Sequence, residues 1–217
     1  MRTYILGAGN QAREVLEIYA ALGKKGSVSC FVEENSPGDG RHLFDKPIID
    51  TSALRSIEPE YVRLIAAIGS PLRSRLIQET EEIGFRYETA IHPTVVKDMR
   101  TRIGKGTILC AGVIITTQAE IGDHVIINIA STISHDARIG RYSTISPGSH
   151  ILGHTQVGER TFIGAGSTII QNVSIGDRTF IGAGSVVTKD IPDDCLAFGV
   201  PAKTVRKLSN KDWSNLI

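Results

Sequence analysis

The chain has no surplus of charge of either sign: 24 lysines and arginines stand against 23 aspartates and glutamates. No basic field is therefore available to hold a nucleic-acid backbone or an anionic membrane surface. Long hydrophobic runs are also missing, and the apolar stretch around Val125 to Ile129 falls far short of the roughly 20 residues that cross a bilayer. The start, Met1-Arg2-Thr3-Tyr4-Ile5-Leu6-Gly7, offers neither the apolar segment nor the cleavage site of a signal peptide. Cysteine is scarce: Cys30, Cys110 and Cys195 are scattered, form no metal motif, and suit a reducing compartment better than a disulfide framework. The expectation is a cytoplasmic protein with no nucleic-acid partner and no membrane partner. Its 217 residues are enough for two domains, each with its own core.

From Ile103 an aliphatic residue recurs at every sixth position, through Leu109, Ile115, Ile121, Ile127, Ile133, Ile139, Ile145, Ile151, Val157, Ile163, Ile169, Ile175 and Ile181 to Val187. The residue four places after each aliphatic is small or β-branched, as in Thr107, Val113, Ala119, Val125 and Ser131. A period of six fits neither a helix nor the alternation of a half-buried strand, which leaves a solenoid. Ile103-Gly104, Ile121-Gly122, Ile139-Gly140, Val157-Gly158 and Ile175-Gly176 repeat after three hexads, so three hexads make one coil of a triangular prism. The aliphatics point inward and successive coils stack at about 4.8 Å. The hexads fail at Asp193, where Ile191-Pro192-Asp193-Asp194 is expected to end the prism, and Val205 to Trp213 reads as a tail that caps it or meets a neighbour.

The first ninety residues differ. Thr3 to Leu6 reads as a strand, Gly7-Ala8-Gly9-Asn10 as a turn, and Ala12, Val15, Leu16, Tyr19 and Ala20 as the apolar stripe of a helix. Further strands are expected at Val28 to Val32, ending at Glu33-Glu34, and at Val62 to Ile68, ending at Gly69-Ser70-Pro71 before a helix with Arg73, Leu76 and Ile77. This is a small Rossmann-type sheet. Its ligand site would lie beyond the carboxyl ends of the strands, where Gly9, Asn10, Gln11, Glu33, Glu34, Gly69, Ser70 and Arg73 converge as candidate substrate-binding residues. Gly7-Ala8-Gly9 at a helix start suits a phosphate, although Ala12 stands where the third glycine of the dinucleotide fingerprint would be. A ligand-free glycine turn remains the plain alternative.

Taken together, Ile5-Leu6-Gly7-Ala8-Gly9, Ala67-Ile68-Gly69-Ser70, Ile91-His92-Pro93, Gly182-Ala183-Gly184-Ser185-Val186-Val187 and Gly199-Val200-Pro201-Ala202-Lys203 resemble the bacterial sugar acyltransferases of the sialic-acid O-acetyltransferase type, which include the bacillosamine and perosamine N-acetyltransferases. The resemblance implies an α/β Rossmann-like domain over 1–90 that holds a nucleotide-linked sugar. It implies a left-handed parallel β-helix over 91–217 that holds acetyl-CoA between neighbouring subunits, and a homotrimer. The left hand comes from the resemblance alone, since parallel crossovers are ordinarily right-handed.

Acyl transfer to an amine needs a base near neutral pH, and histidine suits it. His135 lies just past an inward aliphatic, so its ring should leave a coil corner. It matches the family's catalytic histidine, with Asp136 in the place of the acidic residue that orients it. The resemblance further assigns Gly153, one coil on, to the thioester oxyanion through its N–H, and Asn128 to the lining of the reaction site. Thr144 falls where some relatives have a histidine near the coenzyme. Gly164, Ala165, Gly182 and Ala183 would form a coenzyme groove, with Lys203 or Arg206 for its phosphates, although glycines are natural in any such turn. His42, His92 and His124 read as rings on solvated turns, while His150 and His154 are left open. No metal is expected, because His124, His150 and His154 fall at different places around the coil and a zinc site needs converging ligands. The expected activity is direct acetyl transfer from acetyl-CoA to a nucleotide-linked amino sugar. O-acetylation of sialic acid or another small hydroxyl acceptor and non-catalytic binding of a sugar nucleotide stand as alternatives.

Overall fold

The protein is described by a computed structural model covering residues 1–36, 40–209 and 211–216. In the N-terminal sheet, β1 (Arg2–Leu6) lies between β2 (Val28–Glu33) and β5 (Val62–Ala66), all parallel. These strands are almost continuously apolar because both faces are covered. Ile5, Phe31 and Ile65 pack under α1 (Asn10–Ala21), while Leu6, Val32 and Leu64 pack with Leu76 and Ile77 of α2 (Ser74–Glu82) on the other side. Three strands that the sequence did not announce complete the sheet: β3 (His42–Leu43), β4 (Lys46–Asp50) and β6 (Arg86–Tyr87), in the order β3-β4-β2-β1-β5-β6. β3 and β6 are two-residue edge strands and β4, next to the edge, contains Pro47, and such strands leave little hydrophobic pattern to read.

The rest is a left-handed parallel β-helix whose strands from Arg102–Ile103 to Val186–Val187 are two residues long and end on the hexad aliphatics. Ile108 and Leu109 pair with Ile126 and Ile127, and the same eighteen-residue register runs through all three faces. Leu109, Ile127, Ile145, Ile163 and Ile181 are fully buried along the prism axis. The small corner residues do more than fit: Thr107 donates to Gly122 O (2.9 Å), Ser143 to Gly158 O (2.7 Å) and Thr161 to Gly176 O (2.7 Å), each tying one coil to the next. The residue three places after each aliphatic from Ile103 to Ile181 has positive φ, including Gln118, His124, Asp136, His154 and Asn172, a conformation non-glycine residues adopt sparingly. The prism also runs further than expected. Ile191 bridges to Ile175 and Cys195–Gly199 pairs with Phe180–Ile181, before Ala202–Lys207 returns antiparallel.

The first face of the prism carries everything else. Ala12, Val15, Leu16 and Tyr19 of α1 pack on its outward side chains Ala90, Ile108 and Ile126. Above them Phe162 and Phe180 stack at 4.8 Å and are covered by Trp213 and Leu208, so the tail lies along a side of its own prism. The seam is pinned by Arg73, which is buried and donates to Thr144 Oγ1 (2.8 Å), His124 O (2.8 Å) and Ser143 O (3.0 Å). Burial without a carboxylate partner pushes this guanidinium down to about 9.

Candidate active site

The second and third faces meet at the corner opposite the first, so this corner lies across the prism from the docked N-terminal domain. His135 and Asp136 occupy it, between strands Thr132–Ile133 and Arg138–Ile139. Asp136 (φ +59°) and His154 (φ +57°), one coil apart in the same left-handed position, stack their side chains above one another. Nδ1 of His135 is 2.9 Å from Oδ2 of Asp136. An ionised carboxylate can only accept, which assigns the ring proton to Nδ1 and leaves the lone pair of Nε2 free. The Asp136 carboxylate thus reaches the imidazole.

Gly153 makes room for that ring, since a Cβ there would stand 2.6 Å from both Cε1 and Nε2 of His135. Its N–H has no acceptor among the described residues. His154 presents its ring edge-on to His135 at 5.1 Å, with Nε2 3.8 Å from the same Asp136 Oδ2. The four residues therefore form one cluster of two imidazoles, a carboxylate and a free amide. The link from His154 to Asp136 was missed from sequence; the nineteen-residue separation of the two histidines, one coil plus one residue, was the available signal.

Other expected residues lie elsewhere. Asn128 sits at the corner between the first and second faces, where its Oδ1 accepts from Cys110 Sγ at 3.6 Å, and not beside His135 of the same chain. Thr144 is corrected from the coenzyme groove to the domain seam: it is buried, donates to Gly69 O (2.8 Å) and accepts from Arg73. Arg73 is likewise corrected from the substrate site, because its guanidinium is consumed by the seam. His124 is corrected from a solvated turn to the same seam, where it is 1% exposed, edge-on to Tyr87 and stacked on Tyr142. Gly164 and Gly182 have structural grounds for being glycine, since a Cβ would meet Ala183 N at 2.5 Å and Phe198 Cβ at 2.8 Å, respectively. Ala165, Ala183 and Lys203 are exposed.

A second feature lies at the carboxyl ends of β1, β2 and β5. A cavity of about 350 Å³ is lined by Gly7, Gly9, Asn10, Gln11, Glu33, Glu34 and Gly69, among others. Gly7 has φ +99°, and a Cβ there would stand 2.8 Å from Ala67 O, so the turn requires glycine. Helix α1 starts at this cavity with no acidic residue in its first turn, leaving its N-terminal amides and positive dipole end for an anion. Glu33 and Glu34 are held by Arg41 and Arg75. Ser70 caps the next helical turn through Leu72 N and lines an adjoining cavity with Arg75 and Trp213.

A family profile described as bacterial transferase hexapeptide (six repeats) matches residues 118–153 and 154–189. No curated protein matches the chain in sequence. Among solved structures, perosamine N-acetyltransferase from Caulobacter crescentus in complex with CoA and GDP-perosamine is 37% identical with a TM-score of 0.87, over 95% of this chain and 98% of that one. A histidine-to-alanine variant of the Caulobacter GDP-perosamine enzyme, with the same two ligands, gives 36% and 0.89 over 95% and 98%. The acetyltransferase domain of PglB from Neisseria gonorrhoeae, in complex with acetyl coenzyme A, is 32% identical with a TM-score of 0.85, over 94% and 98%. The chain belongs to the hexapeptide-repeat sugar N-acetyltransferases and is an acyltransferase.

Proposed function

We propose that the protein transfers the acetyl group of acetyl-CoA to the amine of a nucleotide-linked amino sugar, directly and with His135 as general base. The observation that carries this is the ring of His135, laid over Gly153 with Nδ1 on Asp136. Nε2 accepts the amine proton as nitrogen attacks the thioester carbonyl, Asp136 steadies the imidazolium, and the Gly153 N–H receives the developing oxyanion. The imidazolium then gives that proton to the sulfur as the C–S bond breaks, so that CoA leaves as the thiol and His135 returns to its neutral form. A cysteine nucleophile is disfavoured, since Cys110 is buried and its thiol is pushed up to about 12.

The sugar's nucleotide would occupy the Gly7 to Gln11 cavity, and relatives crystallised with CoA and GDP-perosamine support that substrate class. His135 lies across the prism from that cavity in the same chain, so the acceptor would come from the N-terminal domain of a neighbouring copy. This favours the homotrimer, as do Val96, Ile114 and Ile129, exposed on or beside the second face. Exposed Ala165, Ala183 and Lys203 would contact the coenzyme, and Asn128 would approach the acceptor from its own side of the prism. Calorimetric titration with acetyl-CoA and with UDP-, GDP- and dTDP-linked amino sugars tests the reading. Binding of acetyl-CoA and of at least one sugar nucleotide is expected; absence of acetyl-CoA binding would overturn it.

A further inference from the structure

We infer that His135, Asp136 and His154 form a binding site for a divalent transition-metal ion of the zinc type, and that its occupancy arrests acetyl transfer. Two imidazoles and one carboxylate each offer a ligand atom, and these atoms all lie within 4.8 Å of one another. Zinc with nitrogen and oxygen ligands at about 2.0–2.1 Å sets tetrahedral ligand atoms roughly 3.3 Å apart. The contacts of His135 Nδ1 (2.9 Å) and His154 Nε2 (3.8 Å) with Asp136 Oδ2 bracket that value. The remaining separation between the two rings closes by side-chain rotation, for which both have freedom: the side chains are 54% and 58% exposed. The fourth position stays open to water, and two nitrogen ligands favour zinc, cobalt or nickel over magnesium or calcium.

The inhibitory consequence follows from the tautomer. In the free site the single ring proton of neutral His135 is on Nδ1 and the Nε2 lone pair is available. A metal bound through Nδ1 takes that position, and the ring proton passes by exchange with water to Nε2. The imidazole stays neutral and carries one proton throughout, but its base position is now occupied. Asp136, drawn onto the ion, no longer supports an imidazolium. This half of the inference rests on His135 being the base; the binding half does not.

Metal-stripped protein titrated with Zn²⁺ by calorimetry and with Co²⁺ by visible absorption should take up one ion per chain. The cobalt bands should show tetrahedral nitrogen and oxygen coordination. Zn²⁺ should inhibit acetyl transfer over the same concentration range, with recovery on adding chelator. His154→Gln should weaken metal binding by more than the roughly 10- to 100-fold that loss of an outer-shell partner costs, and whatever transfer this variant retains should be insensitive to zinc. Equal binding by wild type and His154→Gln, or no saturable uptake by wild type, would overturn the site. Uptake without any inhibition would overturn the inhibitory role. If the stripped protein binds metal yet never transfers acetyl, the proposed function fails while the site stands.

Discussion

His124 and His135 are built from the same parts and end in opposite conditions. Each ring lies where a glycine one coil away leaves space: a Cβ on Gly106 would stand 2.3 Å from Nδ1 of His124, and one on Gly153 would stand 2.6 Å from Nε2 of His135. Each has a carboxylate near, Glu81 at 3.4 Å from His124 Nε2 and Asp136 at 2.9 Å from His135 Nδ1. The His135 side chain is 54% exposed and hydrogen-bonded. His124 is sealed between Tyr87 and Tyr142, and neither ring nitrogen makes a hydrogen bond among the described residues. What separates them is the corner. The position of His124 faces the N-terminal domain, and that of His135 faces away from it. In a solenoid the register assigns a side chain to a place on the coil, but whatever covers that place decides its chemistry.

The largest expected effect separates the two rings by function. His135→Ala should lower kcat for acetyl transfer by about 10²–10⁴-fold, the usual contribution of a positioned general base, with little change in melting temperature. His124→Ala should do the reverse, costing on the order of 2–4 kcal/mol of stability by emptying a packed aromatic site while folded protein keeps most of its turnover. Steady-state kinetics and urea unfolding on both variants decide it. If His124→Ala lost turnover as His135→Ala does, without loss of stability, the contrast would collapse.

The two glycines sharpen the same contrast at smaller amplitude. Gly153→Ala pushes a methyl group into the His135 ring, which is free to swing outward, so kcat should fall about 10-fold through misplacement of the base while the fold holds. Gly106→Ala meets a ring that cannot move, and Gly106 has φ +65°. That variant should cost about 1–3 kcal/mol in unfolding free energy with kcat near wild type.

Much of this architecture was legible in the sequence because a period-six pattern dictates a coiled prism, though not its hand, and every inward aliphatic from Leu109 to Val187 is buried as the hexads required. The corner placement of His135 and Asp136 was legible too, since it is fixed by register; the roles proposed for them come from the resemblance. The seam was not. Ile108 and Ile126 occupy outward positions, and their apolar character signalled only that the first face is covered, not by what. Thr144 reads as a coenzyme contact through the resemblance and Arg73 as a substrate contact through its place beyond a strand end, and neither ground names a partner. Here each is the other's partner, 71 residues apart. The left-handed corner positions escaped notice for a different reason: backbone requirements usually announce themselves through glycine, and this series includes Gln118, Asp136, His154 and Asn172 instead.

The smallest expected effect is a pH dependence confined to the buried ring. Burial, first among its causes, holds His124 below the ordinary imidazole value; Lys105 acts in the same direction, while Glu81 and Asp123 oppose it. Between the folded value and the unfolded value of roughly 6.5, the unfolded chain binds more protons at this site than the native one, so stability rises with pH across that window. On acidification from pH 7 toward 5 the seam should weaken, because protonation favours the state in which His124 is solvated. His124→Phe keeps the contacts with Tyr87 and Tyr142 and removes the titration. Its melting temperature should therefore fall less on acidification than that of wild type, with the gap widening as pH drops. Contributions from the surface ion pairs are common to both proteins and cancel in the difference. Parallel melting curves would mean that His124 is hydrated in solution, which would dissolve the distinction between a ring that holds two domains together and one left free for chemistry.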